Sequence, residues 1–416
     1  DVVSGLLVLL TVLGYLRWTE GGGRRWYWAS VAACAAALLA KSMAVCIPVL
    51  LLVLDVYPLR RLPRDPREWR GREARAVWLE KVPFAALAAA ASVMAFVAIR
   101  STVSLKPMSE VDALSRLAIA AYAAAFYLWK AVVPIRLAPL YELPYPLALG
   151  WAPGAAGLVI AAITVILVVC RRRWPGLLAA WVIYLVALLP VSGLFQNGPQ
   201  IAADRYTYLP MLGFAVVAGA GIARLAARAR TGALGAALAR AGGGAGLALL
   251  VALMALTWQQ VQVWRDTTTL WSHAIRVSPS AIAYGNLADQ RLIDGDADDA
   301  FRLAEAALRV DPRSVVAHNV LGIVTARRGD LEGALEYFRA AIARDPKFVA
   351  GHINLGTLLM EQGDIGGALE HLHLARELSP GGRGVEERMF GAMLRLGRSQ
   401  PGGDAGRPPI PALDRQ

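Results

Sequence analysis

Cysteine is scarce. Cys34, Cys46 and Cys170 are the only three in 416 residues, each inside an apolar run, with no CxxC pair and no neighbouring histidine. That excludes a disulfide framework and a thiolate metal centre; the three read as small buried hydrophobes. Charge is scarce too, at 18% against 56% hydrophobic, and the shortage is uneven. Up to about Val263 the chain is a series of apolar stretches broken by arginine-rich loops. After Trp264 it is an ordinary soluble mixture rich in Ala, Asp, Glu, Arg and His. Such a shift marks a domain boundary. Acidic residues are the rarer sign, 31 against 43 basic, for a net charge of +12. The excess sits at the ends of apolar runs: Arg60, Arg61, Arg64, Arg67, Arg70, Arg72 and Arg75, then Arg171–Arg173, then Arg224, Arg228 and Arg230. The tendency of cytoplasmic loops to be positive explains this placement, and no nucleic-acid partner is expected.

A helix needs roughly 20 apolar residues to span a bilayer core. Candidate spans are Val2–Leu16, Tyr27–Leu54, Val77–Ile99, Leu114–Val133, Trp151–Cys170, Leu177–Phe195, Tyr208–Ala226 and Gly246–Val263. The chain begins at Asp1 and enters an apolar run at once, with no basic n-region. That pattern fits the interior of a longer protein better than a signal peptide. Keeping the basic loops on one side requires the 28 residues of Tyr27–Leu54 to form two short helices that turn near "AKSMAVCIP". Leu114–Val133, with Arg116 and Lys130 at its ends and Tyr122, Tyr127 and Trp129 along it, either lies in the interface, re-enters from outside, or spans. On the preferred scheme the outer face receives Asp1, Lys41, Arg100–Ala113, Pro134–Gly150, Gln196–Tyr206 and whatever follows Val263.

The soluble half is a repeat array. Asp311-Pro312, Asp345-Pro346 and Ser379-Pro380 recur at intervals of 34, as do Gly295-Asp296, Gly329-Asp330 and Gly363-Asp364. Leu287, Leu321 and Leu355 share the period, as do Ala300, Ala334 and Ala368, and Ala307, Ala341 and Ala375. This is the tetratricopeptide pattern, three helix–turn–helix units over 281–382. The Gly-Asp pair is the turn, with Gly accepting positive φ and Asp capping the next helix. The segment 264–280 connects the last span to the array, 384–397 reads as a closing helix, and 398–416, rich in Pro and Gly, as a disordered tail. His318 and His352 occupy the same repeat position, and His371 and His373 face different sides of a helix, so no zinc site is expected. Such arrays bind extended peptides or partner helices in a groove. The predicted fold class is all-α: a polytopic helical membrane domain over 1–263, followed by a tetratricopeptide solenoid.

Three stretches carry a resemblance: "DVVSGLLVLLTVLGYLR" at the start, "LLAKSMAVCIPVLLLVLDVYPLRR" at 38–61, and "LLPVSGLFQNGPQIAADRYTYLPMLGF" at 188–214. With the downstream repeats they resemble bacterial relatives of the transmembrane and tetratricopeptide-repeat O-mannosyltransferases, a family with a GT-C-type membrane fold. The resemblance implies transfer of a sugar, mannose among the candidates, from a polyprenyl-phosphate donor, with inversion. It implies Ser or Thr of exported proteins as acceptor, an inner-membrane location, and the repeats on the periplasmic side. It places the catalytic base upstream of Asp1, which looks like the end of an Arg-x-Asp-like motif. The fragment by itself is therefore expected to be inactive. Lys41 matches the lysine of a Ser-Lys-Glu-like motif, although Ser42 stands where the acid would be. Asp204-Arg205 matches an acidic-Arg-Tyr motif.

The residues point the same way by their chemistry. Departure of a lipid phosphate builds negative charge, which Arg stabilises bidentately and Lys as a point charge. Arg205, oriented by Asp204, is the first candidate for that contact and Lys41 the second. Tyr206 and Tyr208 are candidates to stack on the sugar or position the lipid, with Asp1 beside them. Glu110, Asp112 and Glu142 are the remaining acids of the outer loops and take no assigned role. No cofactor and no metal set is indicated; the donor is a substrate. Two other readings stay open: a membrane-anchored repeat scaffold for an envelope complex, and a ligase moving lipid-linked oligosaccharide.

Overall fold

The computed structural model describes residues 2–63, 65–102, 111–143, 150–194, 200–229, 233–380 and 386–391. Asp1 and Glu110 lie outside them. Two compact units emerge, Asp1–Gln259 and Gln260–Gln416. Among the described residues the chain is all-α apart from one short ladder in the first unit.

The first unit opens with α1 (Val2–Thr19) and α2 (Arg24–Ala40), which pack closely because α2 is rich in alanine. Ser30 Oγ donates to Thr11 O at 2.7 Å and Ser4 Oγ to Ala37 O at 3.4 Å, so the helices run antiparallel. At Lys41 the backbone becomes extended (φ −164°, ψ 133°) and α2 ends. A 3-10 turn, Ser42–Cys46, leads into α3 (Ile47–Val56), where Pro48 is tolerated because the first helical turn has no partner for its N–H. The C-terminal end of α3 meets the C-terminal end of α1, at Tyr15 and Asp55. The chain therefore reverses at Lys41, as the turn expected near "AKSMAVCIP" requires.

Next come α4 (Arg72–Thr102), α5 (Ala113–Val132), α6 (Ala152–Val169), α7 (Pro175–Leu188), α8 (Leu212–Ala229) and α9 (Ala233–Val263). Among the described residues four helical stretches are long and apolar enough to cross a membrane: Val2–Thr19, Ala74–Ala98, Ala152–Val169 and Ala241–Val263. Ser42–Val56, Pro175–Val191 and Leu212–Arg224 are shorter apolar helices. Between α5 and α6, β1 (Tyr141–Glu142) pairs antiparallel with β2 (Gln200–Ala202), setting Tyr141 opposite Ala202.

The second unit continues with α10 (Thr267–Val277) and three helix pairs: α11 (Ala281–Ile293) with α12 (Ala297–Val310), α13 (Val315–Arg327) with α14 (Leu331–Arg344), and α15 (Val349–Gln362) with α16 (Ile365–Leu378). Each pair turns on a glycine in the left-handed region, Gly295, Gly329 and Gly363, at φ +88° to +89°. In each turn the next aspartate accepts a backbone N–H: Asp296 from Asp299, Asp330 from Gly333, Asp364 from Gly367. Ala300, Ala334 and Ala368 are fully buried. A Cβ on Gly322 would lie 2.6 Å from Phe338 Cε1, so this position admits no side chain without a shift. Of the expected closing helix, 386–391 is described and helical, with Met389 in the repeat core. The tail from 398 lies outside the described residues.

Gly322→Ala is expected to cost about 1–3 kcal/mol through overpacking against Phe338. Asp330→Ala is expected to cost about 1 kcal/mol through the lost cap. Urea unfolding of the chain followed through the repeat unit reads both; an unchanged midpoint for Gly322→Ala would contradict the close approach.

Candidate functional site

The extended residue Lys41 and the 3-10 turn after it face a cleft of about 180 Å³, lined by Lys41, Ser42, Pro190, Gln200, Ala202 and Tyr206 among others. The far wall is the segment between α7 and α8, where β2 leads into a 3-10 turn, Asp204–Thr207. Two distant stretches of sequence thus meet at one opening.

Two cations share one ring there. Lys41 Nζ lies 5.5 Å from the Tyr206 ring centroid and the Arg205 guanidinium carbon lies 5.0 Å from it. Gln200 Nε2 donates to the Tyr206 hydroxyl at 3.1 Å, fixing the ring at the mouth. Burial pushes the Lys41 ammonium below its ordinary range; Tyr206 opposes that shift and the like charge of Arg205 adds to it. Arg205 is exposed and donates to Pro139 O at 3.1 Å. Its Nη2 also reaches the Tyr206 hydroxyl at 3.4 Å; a guanidinium with five N–H donors so held retains donors for an anion, and two nearby positive charges favour one.

Asp204 does not orient Arg205, contrary to the expectation from the sequence. Its Oδ2 accepts from Ala138 N at 2.8 Å and from the Tyr141 hydroxyl at 3.1 Å. Adjacent residues therefore grip adjacent residues: Asp204 takes Ala138 and Arg205 takes Pro139, and together they hold the loop after α5 against the cleft. The physical reason is the 3-10 turn, which sends successive side chains in different directions. Asp204 Oδ1 is buried and has no hydrogen-bond partner among the described residues. Burial raises the Asp204 carboxyl above its usual range, opposed by the Ala138 N–H, Tyr141 and Lys130.

Of the other expected residues, Tyr206 lines the cleft, while Tyr208 is 61% exposed and is not among the lining residues. Asp1 lies outside the described residues. Asp112 is occupied as the N-cap of α5, accepting from Ser115 N at 2.6 Å. Two points on α5 are bonded to the segment around the cleft: Arg116 donates to Leu194 O at 3.2 Å, and Ala203 N donates to the Tyr127 hydroxyl at 3.0 Å. In the repeats, His371 meets His352 (Nδ1 to Nδ1 3.1 Å) while His373 pairs with Glu377, so the two do face different ways.

A second polar cluster was not foreseen. Asp55, with no solvent exposure, accepts from the Tyr15 hydroxyl at 2.9 and 2.8 Å, from Arg61 Nη1 at 3.1 Å, and from Lys81 Nζ at 2.6 Å. Lys81 also donates to the Tyr15 hydroxyl. Arg61 Nη2 reaches both oxygens of Glu80 at 2.7 Å, and its guanidinium lies 5.1 Å from the Trp18 ring. Two acids and two bases cancel, so the group is a closed, neutral tie between α1, α3 and α4. A signal was present: a lone Asp in "LLVLDVYP" and a Glu-Lys pair in "WLEKVP" interrupt apolar runs, and isolated charges in such surroundings must find one another.

Residues 286–347 and 326–384 match two family models, both described as tetratricopeptide repeat. Over 134 residues the chain is 30% identical to Protein O-mannosyl-transferase Tmtc2 of Drosophila melanogaster, an alignment covering 31% of this chain and 13% of that protein. The chain thus matches a small part of this relative's length. Solved structures similar to it include the first tetratricopeptide domain of Spaghetti bound to an HSP90 peptide (14% identity, 28% of this chain and 94% of that one, TM-score 0.27). An O-GlcNAc transferase mutant of Thermobaculum terrenum (26%, 27% and 22%, 0.26) and MamA (18%, 31% and 77%, 0.28) are also similar. The chain carries tetratricopeptide repeats over 286–384 and several apolar helices, and is similar in part to Tmtc2.

Lys81→Met is expected to destabilise the first unit by about 3–5 kcal/mol, because it leaves the buried Asp55, and Glu80 beside it, with Arg61 as their one remaining cation. Asp55→Leu combined with Lys81→Met should recover much of that loss, which thermal unfolding in detergent measures; equal loss in single and double variants would contradict the tie. At the cleft, Asp204→Ala should free the Ala138 amide to exchange faster, whereas Asp204→Asn keeps an acceptor and should protect it. Because burial raises the folded carboxyl above its unfolded value, Asp204 costs stability as pH rises through and above the ordinary carboxylate range. Asp204→Asn should remove that decline in a pH series of melts.

Proposed function

We propose that the chain belongs to a membrane glycosyltransferase with a GT-C-like helical domain, which moves a sugar from a polyprenyl-phosphate donor to Ser or Thr of exported proteins. The single observation that supports it most is the convergence of Lys41 and Arg205 on the Tyr206 ring at the mouth of a cleft. In this reading the acceptor hydroxyl attacks the anomeric carbon, the bond from that carbon to the phosphate oxygen breaks, and the lipid phosphate leaves carrying the electron pair. Arg205 and Lys41 stabilise the charge that builds on it. Tyr206 faces the sugar or the lipid, and Asp204 serves by holding the loop of Ala138 and Pro139 beside the site. The hydroxyl's proton passes to a general base upstream of Asp1.

The partial likeness to Tmtc2 supports the reaction class. We place the cleft on the outer face, with Arg171–Arg173 and the loop 60–75 inside. The two bonds from α5 to the segment 194–203 support a helix lying along that face. The tetratricopeptide unit is assigned the acceptor protein or a partner peptide.

Membranes carrying the full-length protein, given a labelled polyprenyl-phosphate sugar, are expected to label endogenous proteins. Arg205→Ala and Lys41→Ala, inserted at equal level, should each lower transfer on the order of 10²-fold, as loss of one charge-stabilising donor does. Full activity in both variants would remove the phosphate role. No transfer from any such donor would leave a peptide-binding membrane scaffold as the reading.

A further inference from the structure

The loop between α3 and α4 is the most basic stretch of the chain, and its charge is not consumed by folding. Among the described arginines of this loop and the first turn of α4, Arg61 alone is drawn into the tie with Asp55 and Glu80. Arg60, Arg67, Arg70 and Arg75 are exposed, and none of them has a carboxylate within ion-pair distance among the described residues. The described acids of the loop are Asp65 and Glu68, and Asp65 is engaged as a cap, accepting from Arg67 N at 2.9 Å.

The loop is also built, not loose. Trp69 Nε1 donates to Pro63 O at 2.8 Å, and its ring meets Trp78 edge-on at 5.9 Å between centroids. Leu62, Ala74 and Val77 form a buried cluster that fastens the loop to α4. Immediately beyond, α4 exposes Leu79 (61%) and Val82 (56%) at the start of its apolar stretch Ala74–Ala98. Within about 10 Å along the helix, at 1.5 Å per residue, the surface passes from arginines through a tryptophan pair to aliphatic side chains. That is the order of a bilayer's own layers: charged headgroups, interface, hydrocarbon.

We propose that Arg60, Arg67, Arg70 and Arg75, together with Trp69 and Trp78, form a binding surface for anionic phospholipid headgroups, the four arginines pairing with phosphates and the two tryptophans seated at the interface. The inference rests on the membrane reading but not on the transferase reading. Guanidinium groups suit phosphates because two N–H donors meet two oxygens. The Asp55 tie fixes Arg61 and so sets where its neighbours stand.

The test uses the full chain in phosphatidylcholine vesicles containing spin-labelled phosphatidylglycerol or spin-labelled phosphatidylcholine. Wild type is expected to immobilise the anionic lipid with a preference of roughly fivefold or more, the weight of a single arginine at a charged surface. The preference should weaken as salt is raised. Replacing Arg60, Arg67, Arg70 and Arg75 together by Gln should bring it to parity, while replacing the same four by Lys should keep part of it. Replacing Arg171, Arg172 and Arg173 by Gln should leave it in place. A preference that survives the fourfold Gln change, or that falls equally with the Arg171–Arg173 change, overturns the proposal. Failure of wild type to float with the vesicles overturns it together with the membrane reading, whereas failure of sugar transfer leaves it standing.

Discussion

A carboxylate removed from water has to be answered by its neighbours, and Asp55 is where this chain meets that requirement. Tyr15, Arg61 and Lys81 all point at it, from α1, from the loop after α3, and from α4. None of the three partners is optional, since each removed donor leaves charge or dipole stranded in an apolar setting. The tie holds one end of the α1–α2–α3 hairpin, and the other end carries Lys41. A displacement of α3 at Asp55 would therefore be felt at the cleft through a short, stiff helix. Glu80 completes the balance, so that two charges of each sign form a neutral unit that packed helices can accept.

At the cleft end the organising interaction is different in kind. Asp204 and Arg205 act on the backbone of a loop, not on each other, and so attach the segment after α5 to the segment before α8. The short ladder between β1 and β2 repeats the same join one step away. This leaves Lys41, Arg205 and Tyr206 at an edge where two cations and an aromatic ring face a space of small-molecule dimensions. Two cations beside one ring at such an edge suit an anion. The carboxyl with the raised affinity for protons sits behind it, as support.

The repeat unit was readable in advance to the level of single residues. Gly295, Gly329 and Gly363 adopt left-handed backbone and Asp296, Asp330 and Asp364 cap the helices that follow, as their spacing of 34 implied. Repetition makes this possible, because each unit meets a copy of the same neighbour and local sequence determines the contact. The reversal at Lys41 was legible for another reason: the parity of basic loops demanded it. What escaped was pairing. Asp55 and Lys81 are 26 positions apart and belong to different helices, so nothing periodic links them.

By itself the amino-acid sequence determined the all-α class, the three repeats with their turns and caps, the apolar helices, and Lys41, Arg205 and Tyr206 as residues to watch. Each of these depends on interactions that are local, periodic or compositional, and so leaves a trace along the chain. Only the tertiary structure decided what those residues do to one another. It separated Asp204 from Arg205, drew Tyr206 beneath both Lys41 and Arg205, set Tyr208 aside, and matched Asp55 with Lys81. Such choices are made by helices packing across long separations in sequence, where the direction of a side chain is set by the backbone turn that carries it and not by its neighbours in the chain.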